Sequence, residues 1–299
     1  MSDFHVPVLL KESVDKLVID EDGIYVDVTF GGGGHSREIL NRLSAKGQLI
    51  VFDQDGEAAA NEIDDERLVF VKSNFRHLYR FWRWLDIDKV SGVLGDLGVS
   101  SHQFDTDYRG FSYRFDADLD MRMNDESELT AAQILMTYPE AELVNVFSAY
   151  GEVRNSKQLA RTVNARRRLQ QGILTTSDLN RLLDDVVIGE RNKYFAQVYQ
   201  ALRIEVNDEM GCLKDMLLDS HRILKTGGRL VIISYHSLED RLVKRFMKSG
   251  SLDGVIPKDD YGRSLAKIKM IEKMILPTVE ENKTNSRSKS AKMRVAERI

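Results

Sequence analysis

The chain has 299 residues, with 43 Lys and Arg against 47 Asp and Glu and a formal net charge of -4. That balance excludes a uniformly basic nucleic-acid coat, and a mixture of 42% hydrophobic and 30% charged residues excludes a chain disordered throughout. Cys212 is the sole cysteine, which excludes an intrachain disulfide, a thiolate metal cluster and a CxxC redox pair; with no leader-like N-terminus and no apolar run of about 18 residues, the expectation is a cytoplasmic, unanchored protein of one large or two ordinary domains.

In chain order, Gly23 to Asp27 (GIYVD) reads as a short buried strand running into the glycine loop Phe30 to Gly34, and Ser36 to Leu43 has helical apolar spacing. Gln48 to Phe52 is a second strand ending on Asp53, Glu57 to Ile63 a helix, and Arg67 to Val71 a third strand ending near Phe75. Trp82 to Leu85 lies in a helical stretch, and Val90 to Leu94 is a fourth strand reaching Asp96. Strands alternating with helices in this way predict βαβ units and a parallel sheet. From Tyr108 to Lys193 no strand is evident and the pattern is helical. A long helix is expected from Phe195 to Leu224, stopped by Gly227 and Gly228, followed by a strand over Arg229 to Ser234, a basic helix over Leu238 to Met247, and two last strands over Ile268 to Leu276 and Ala291 to Ala296. The fold class expected is therefore α/β, a Rossmann-like sheet formed by 1–107 and 195–299, interrupted by an all-α domain at 108–194.

Ligands of doubly wound sheets bind at the carboxyl ends of the strands, where the strand order reverses. Here those ends carry a glycine loop that lets backbone approach a ligand, Asp53 to accept from ribose hydroxyls, Phe75 to offer a face to adenine, and Asp96 toward the centre of the cleft. The dinucleotide pattern GxGxxG fails in both registers, ending on Ser36 or Arg37, which weakens NAD; no GxxxxGK is present, which weakens ATP. An acid on the strand followed by the glycine turn (Asp27 to Gly33) fits S-adenosylmethionine, the acid facing a cationic amino-acid moiety, although Asp27 is equally readable as a cap of the turn.

Nine stretches together resemble one family. They are His5 to Leu10 (HVPVLL), Phe30 to Ser36 (FGGGGHS), Asp96 to Ser101 (DLGVSS), Arg109 to Ser112 (RGFS), Leu119 to Met123 (LDMRM), Tyr150 to Glu152 (YGE), Gln200 to Ile204 (QALRI), Ser237 to Arg241 (SLEDR) and Ser286 to Ala291 (SRSKSA). In this order they are similar to the bacterial small-subunit ribosomal RNA methyltransferase H family over nearly the whole chain. The resemblance implies a class I methyltransferase that uses S-adenosylmethionine to methylate the exocyclic N4 of a cytidine in the decoding region of 16S ribosomal RNA. It also implies that Gly33, Gly34, His35, Asp53, Phe75, Asp96 and Gln103 contact the cofactor. His102 stands where the family often has Pro, and Arg191 to Tyr199 lacks the Pro and Arg common there.

Methyl transfer to an amine is a direct displacement and requires alignment rather than a metal. Methylation at cytosine C5 would need a thiolate, and Cys212 falls on the apolar spacing of the long helix, where it reads as a packed hydrophobe. An exocyclic amine is a weak nucleophile whose N–H groups need an acceptor, and Asp96 or neighbouring carbonyls fill that role in this reading. Two basic runs suit RNA: Val153 to Ser177, with Arg154, Lys157, Arg161, Arg166, Arg167 and Arg168 and no acid, and Asn282 to Ile299, with six bases including Lys289 and Arg294 against Glu297. Tyr235, at the next strand end, reads either as a stack for a flipped base or as a packed strand terminus. A non-catalytic RNA-binding or ribosome-assembly module on the same scaffold is the alternative, with an NAD-dependent oxidoreductase behind it.

Overall fold

The computed structural model describes residues 6–61, 63–99, 108–169 and 172–299. Its chain forms two compact units, one of Met1–Gly98 with Met210–Ile299 and one of Val99–Glu209.

The first unit is built on a seven-stranded sheet: β1 Ile24–Asp27, β2 Gln48–Asp53, β3 Leu68–Lys72, β4 Val90–Asp96, β5 Leu224–Ser234, β6 Ile268–Ile275 and β7 Lys292–Arg298. Their spatial order is β3-β2-β1-β4-β5-β7-β6, with β1 to β5 parallel and β7 antiparallel to both neighbours. Alternation along the strands sorts side chains onto two covered faces. Tyr25, Leu49, Val51, Leu94, Val231 and Ile233 pack with helices α1 (Leu10–Leu17) and α2 (Gly34–Arg42). Val26, Ile50, Phe52, Val93, Leu230 and Ile232 pack with Leu78 of α3 (Leu78–Trp84) and with apolar residues of two later helices. Because β1 pairs with β2 on one side and β4 on the other, the strand order reverses at β1, the position where doubly wound sheets open a ligand crevice.

The second unit holds α4 (Ala131–Thr137), α5 (Glu140–Ala149), α6 (Ser156–Arg168), α7 (Thr176–Asp184) and α8 (Arg191–Asn207). Thr130 with Gln133 and Thr175 with Asp178 form capping boxes that satisfy the first amides of α4 and α7. Its core includes Ile134, Phe147, Leu159, Leu179, Phe195, Val198 and Leu202.

Four expectations change. The single helix from Phe195 to Leu224 is two, α8 and α9 (Glu209–Ile223), broken at Asp208, whose φ of 45° is left-handed. The insertion consequently ends near 209 rather than 194, since α8 buries Phe195, Val198 and Leu202 among the insertion's own helices. Gly227 and Gly228 do not end a helix; they lie within β5, which begins at Leu224. The helix expected over Glu57 to Ile63 is a 3-10 turn, Gly56–Asn61.

Candidate active site

β1 delivers the chain into the glycine loop. Asp27 is fully buried and accepts from the Thr29 amide at 3.0 Å and the Ser36 hydroxyl at 2.7 Å, so it holds the turn against the start of α2 rather than facing a ligand. Gly33 caps α2 with a φ of 75°, a conformation that disfavours any Cβ. Gly34 is small for a different reason: a Cβ there would sit 2.3 Å from Cγ of Pro7. Gly32 is exposed, with open space where its side chain would stand, and leaves the loop backbone accessible.

At the β2 end, Asp53 accepts from the Gly31 amide at 2.8 Å and the Asp55 amide at 2.9 Å. It thus clamps the glycine loop from the neighbouring strand, and each carboxylate oxygen retains a lone pair for a hydroxyl. Burial pushes its pKa up to about 6, against the lowering effect of those two amides. Phe75 opens a 3-10 turn after β3, half-buried against the core, with Asn74 beside it capping the turn and donating to Gln54 at 2.7 Å.

The β4 and β5 ends meet through one short bond. The Tyr235 hydroxyl donates to Asp96 Oδ1 at 2.7 Å, and the Asp96 amide donates to Thr29 Oγ1 at 2.7 Å. Burial raises the Asp96 carboxyl to about 6, offset in part by His35 and by the Tyr235 hydrogen bond. His35 is only 5% exposed; its Nε2 lies 3.3 Å from the Val8 carbonyl and its Nδ1 3.9 Å from Asp96 Oδ2. The ring is therefore engaged inside the protein, and its backbone amide in the first turn of α2 is what it can present to a ligand. Tyr235 is held by Glu239 of α10 (Ser237–Ser249), whose Oε2 accepts from the Tyr235 amide at 2.9 Å while His236 completes a capping box. Tyr235, expected either as a stack for a base or as a packed strand terminus, directs its hydroxyl at Asp96 and is half-buried. Thr29 and Glu239 are the positioning residues that sequence reasoning did not pick out. The signal for Glu239 was present in Ser237 to Arg241, but a histidine N-cap hides the usual Ser/Thr-x-x-Glu pattern.

A family profile described as the MraW methylase family matches residues 2–299. The chain belongs to that family. It is 52% identical over 300 residues to Ribosomal RNA small subunit methyltransferase H of Christiangramia forsetii, covering 100% of this chain and 99% of that one. It is also 52% identical over 298 residues to the protein of the same name from Flavobacterium johnsoniae, covering 99% and 98%. Among solved structures, an rRNA methylase from Streptococcus thermophilus aligns over 97% of this chain and 93% of its own with a TM-score of 0.41 and 11% identity.

The methylase's cofactor is S-adenosylmethionine, and the donor set described above suits it. The Asp53 carboxylate beside the loop amides would accept from a ribose diol, and the buried carboxyls of Asp53 and Asp96 would favour a nearby sulfonium or ammonium. Gln103 lies outside the described residues.

The residues expected at RNA divide sharply. Arg294 is 5% exposed and forms a two-pronged pair with Asp240 at 2.7 and 3.1 Å while also donating to the Lys273 carbonyl; it is a structural residue, not an RNA contact. Arg167 is likewise withdrawn: it donates to the carbonyls of Ile134, Leu135 and Tyr138, closing the C-terminal end of α4. Arg166 is three-quarters buried and pairs with Asp185 at 3.1 Å. Arg168 and Lys289 are exposed.

Proposed function

We propose that the chain transfers a methyl group from S-adenosylmethionine to the exocyclic N4 of a cytidine in the decoding region of 16S ribosomal RNA. The observation that carries this reading is Asp96: a buried carboxyl at the β4 end, titrating near 6 and fixed through Oδ1 by the Tyr235 hydroxyl. The bound cofactor supplies an electrophilic methyl on a sulfonium. Asp96 accepts a hydrogen bond from the target amine, which localises the nitrogen lone pair out of the ring; as the C–N bond forms and the C–S bond breaks, the amine proton passes to Asp96 and then to water. A carboxyl near 6 takes that proton more readily than an ordinary aspartate and still releases it at neutral pH. Tyr235 keeps the carboxyl in one orientation, and the Asp53-clamped loop fixes the cofactor so that the three reacting atoms align. The C5 alternative loses support because Cys212 is 2% exposed and packs within α9.

The names of the 52% identical relatives support ribosomal RNA of the small subunit as substrate. The inserted helical unit, with Arg168 open on α6, and Lys289 near the C-terminus are the proposed RNA contacts. The test is labelled methyl transfer to small ribosomal subunits and to naked 16S RNA, followed by digestion to nucleosides. N4-methylcytidine is the expected product. Label at C5 or on another base overturns the chemistry, and cofactor binding without transfer to either substrate favours the assembly-module alternative.

A further inference from the structure

Phe75 to Leu85 (FRHLYRFWRWL) contains four basic or imidazole side chains, five aromatic rings and no acid. The expected basic runs are partly consumed by the fold, yet this stretch is not. On α3, Arg80, Arg83 and Trp84 are all exposed, Trp84 at 75%, and their i, i+3, i+4 spacing puts them on one face. No side-chain hydrogen bond or ion pair holds Arg80 or Arg83 among the described residues. Alongside, Tyr79 and Trp82 stack with centroids 5.3 Å apart; Lys89 lies 4.9 Å from the Trp82 ring and the half-exposed Arg222 5.4 Å from the Tyr79 ring. The acids nearby are partly spoken for, Asp215 by Arg76 at 3.1 Å and Asp219 by Arg222 at 3.2 Å, which leaves Asp86 and Asp88 exposed on the loop after α3. Leu78 and Phe81 pack into the sheet core, and Trp84 meets Phe81 edge to face with centroids 6.4 Å apart, a contact that still leaves the indole 75% exposed.

We infer that the outer face of α3 is a second RNA-contact surface, at which Arg80 and Arg83 neutralise phosphates and Trp84 stacks on an unpaired base. The inference rests on the ribosomal RNA reading above. Guanidinium groups beside an exposed indole are the combination that single-stranded RNA recruits: cations follow the backbone, and an aromatic face takes any base. Lys89 and Arg222 extend the positive field along the Tyr79 and Trp82 pair.

The experiment measures affinity for naked 16S RNA and for small subunits as a function of salt, using wild type, Trp84→Ala and the pair Arg80→Ala with Arg83→Ala. Trp84→Ala is expected to weaken RNA binding about ten-fold. The arginine pair should reduce the slope of log affinity against log salt by about 1.5, the release of two phosphate counterions. S-adenosylmethionine affinity and thermal stability should stay at wild-type values in both variants, because all three side chains are exposed. Unchanged RNA affinity and slope overturn the inference while leaving the methyltransferase reading intact. Loss of affinity for subunits with naked RNA unaffected overturns it in favour of a protein contact, and a shift from dimer to monomer in sedimentation overturns it in favour of a second copy of this chain. Wild-type protein that binds no ribosomal RNA defeats both readings together.

Discussion

Asp53 and Asp96 lie at strand ends of the sheet unit with neither Arg nor Lys paired to them among the described residues, and burial lifts both to about 6. In the helical unit Asp120 is less deeply buried, and Arg122 grips it through both carboxylate oxygens at 2.8 and 2.7 Å and holds it below the ordinary carboxylate range. One fold thus uses the same side chain in two ways. Asp120, which serves architecture, is supplied with a guanidinium; at Asp53 and Asp96, the proposed ligand-facing pair, the positive charge would come with the ligand.

The largest expected effect breaks the first half of that contrast. Asp96→Ala removes the acceptor for the amine and for Tyr235 at once, and transfer to ribosomal RNA should fall at least about hundred-fold, in the range of a lost general base. Near-normal turnover in the labelled-methyl assay would end the role given to Asp96.

Asp96→Asn keeps the acceptor for Tyr235 but not the charge, and here the sign of the pH dependence is decisive. A carboxyl raised from about 4 unfolded to about 6 folded stabilises the fold fully below pH 4 and loses that contribution as pH rises through 6. At pH 7.5 the ionised group therefore costs the cofactor-free protein up to about 2 kcal/mol, which the amide does not. The variant should melt several degrees higher than wild type at pH 7.5, with the difference closing by pH 4, while transfer is lost. Calorimetry at the two pH values reads it, and a variant less stable than wild type at pH 7.5 would contradict the account.

Arg122→Ala tests the other half and carries the opposite sign. Asp120 is depressed in the folded state, so its contribution is present above the unfolded value near 4 and vanishes as pH falls through the folded one. The pair is about a quarter exposed, and Arg122 also holds the Asp125 and Ser127 carbonyls, so a loss of about 1 to 2 kcal/mol is expected at pH 7. Urea unfolding should show that loss shrinking toward acid pH, with S-adenosylmethionine affinity unchanged.

How much of this was legible in the sequence follows from the range of each interaction. The strand ends were readable because a buried strand, its terminal Asp and the following turn are contiguous in the chain, and the sheet order then brings Asp53 and Asp96 to one edge. The break at Asp208 was not, because apolar spacing from Val198 to Leu217 continues in phase across a single left-handed residue that an aspartate can occupy. Nor was the loss of Arg294 from the RNA surface, since its partner Asp240 is 54 positions away. Asp27 was readable in both its senses, and its complete burial with bonds to Thr29 and Ser36 makes it an anchor of the turn.

The smallest effect on RNA binding concerns adjacent arginines on α6, where charge alone predicts equal behaviour. Arg167 spends its guanidinium on three carbonyls of the α4 turn and is desolvated enough to lower its pKa; Arg168, one residue on, is exposed. Arg167→Ala should cost stability, by about 1 to 2 kcal/mol for a part-buried donor set removed from the Leu135 and Tyr138 carbonyls, while Ile134 keeps the Tyr138 amide. Arg168→Ala should leave the melting temperature untouched and reduce the salt slope of RNA binding by no more than about 1, one phosphate's worth of counterion. If the two variants exchanged these phenotypes, the helix would present its other face to RNA, and the division of this basic run into structural and substrate-facing residues would be reversed.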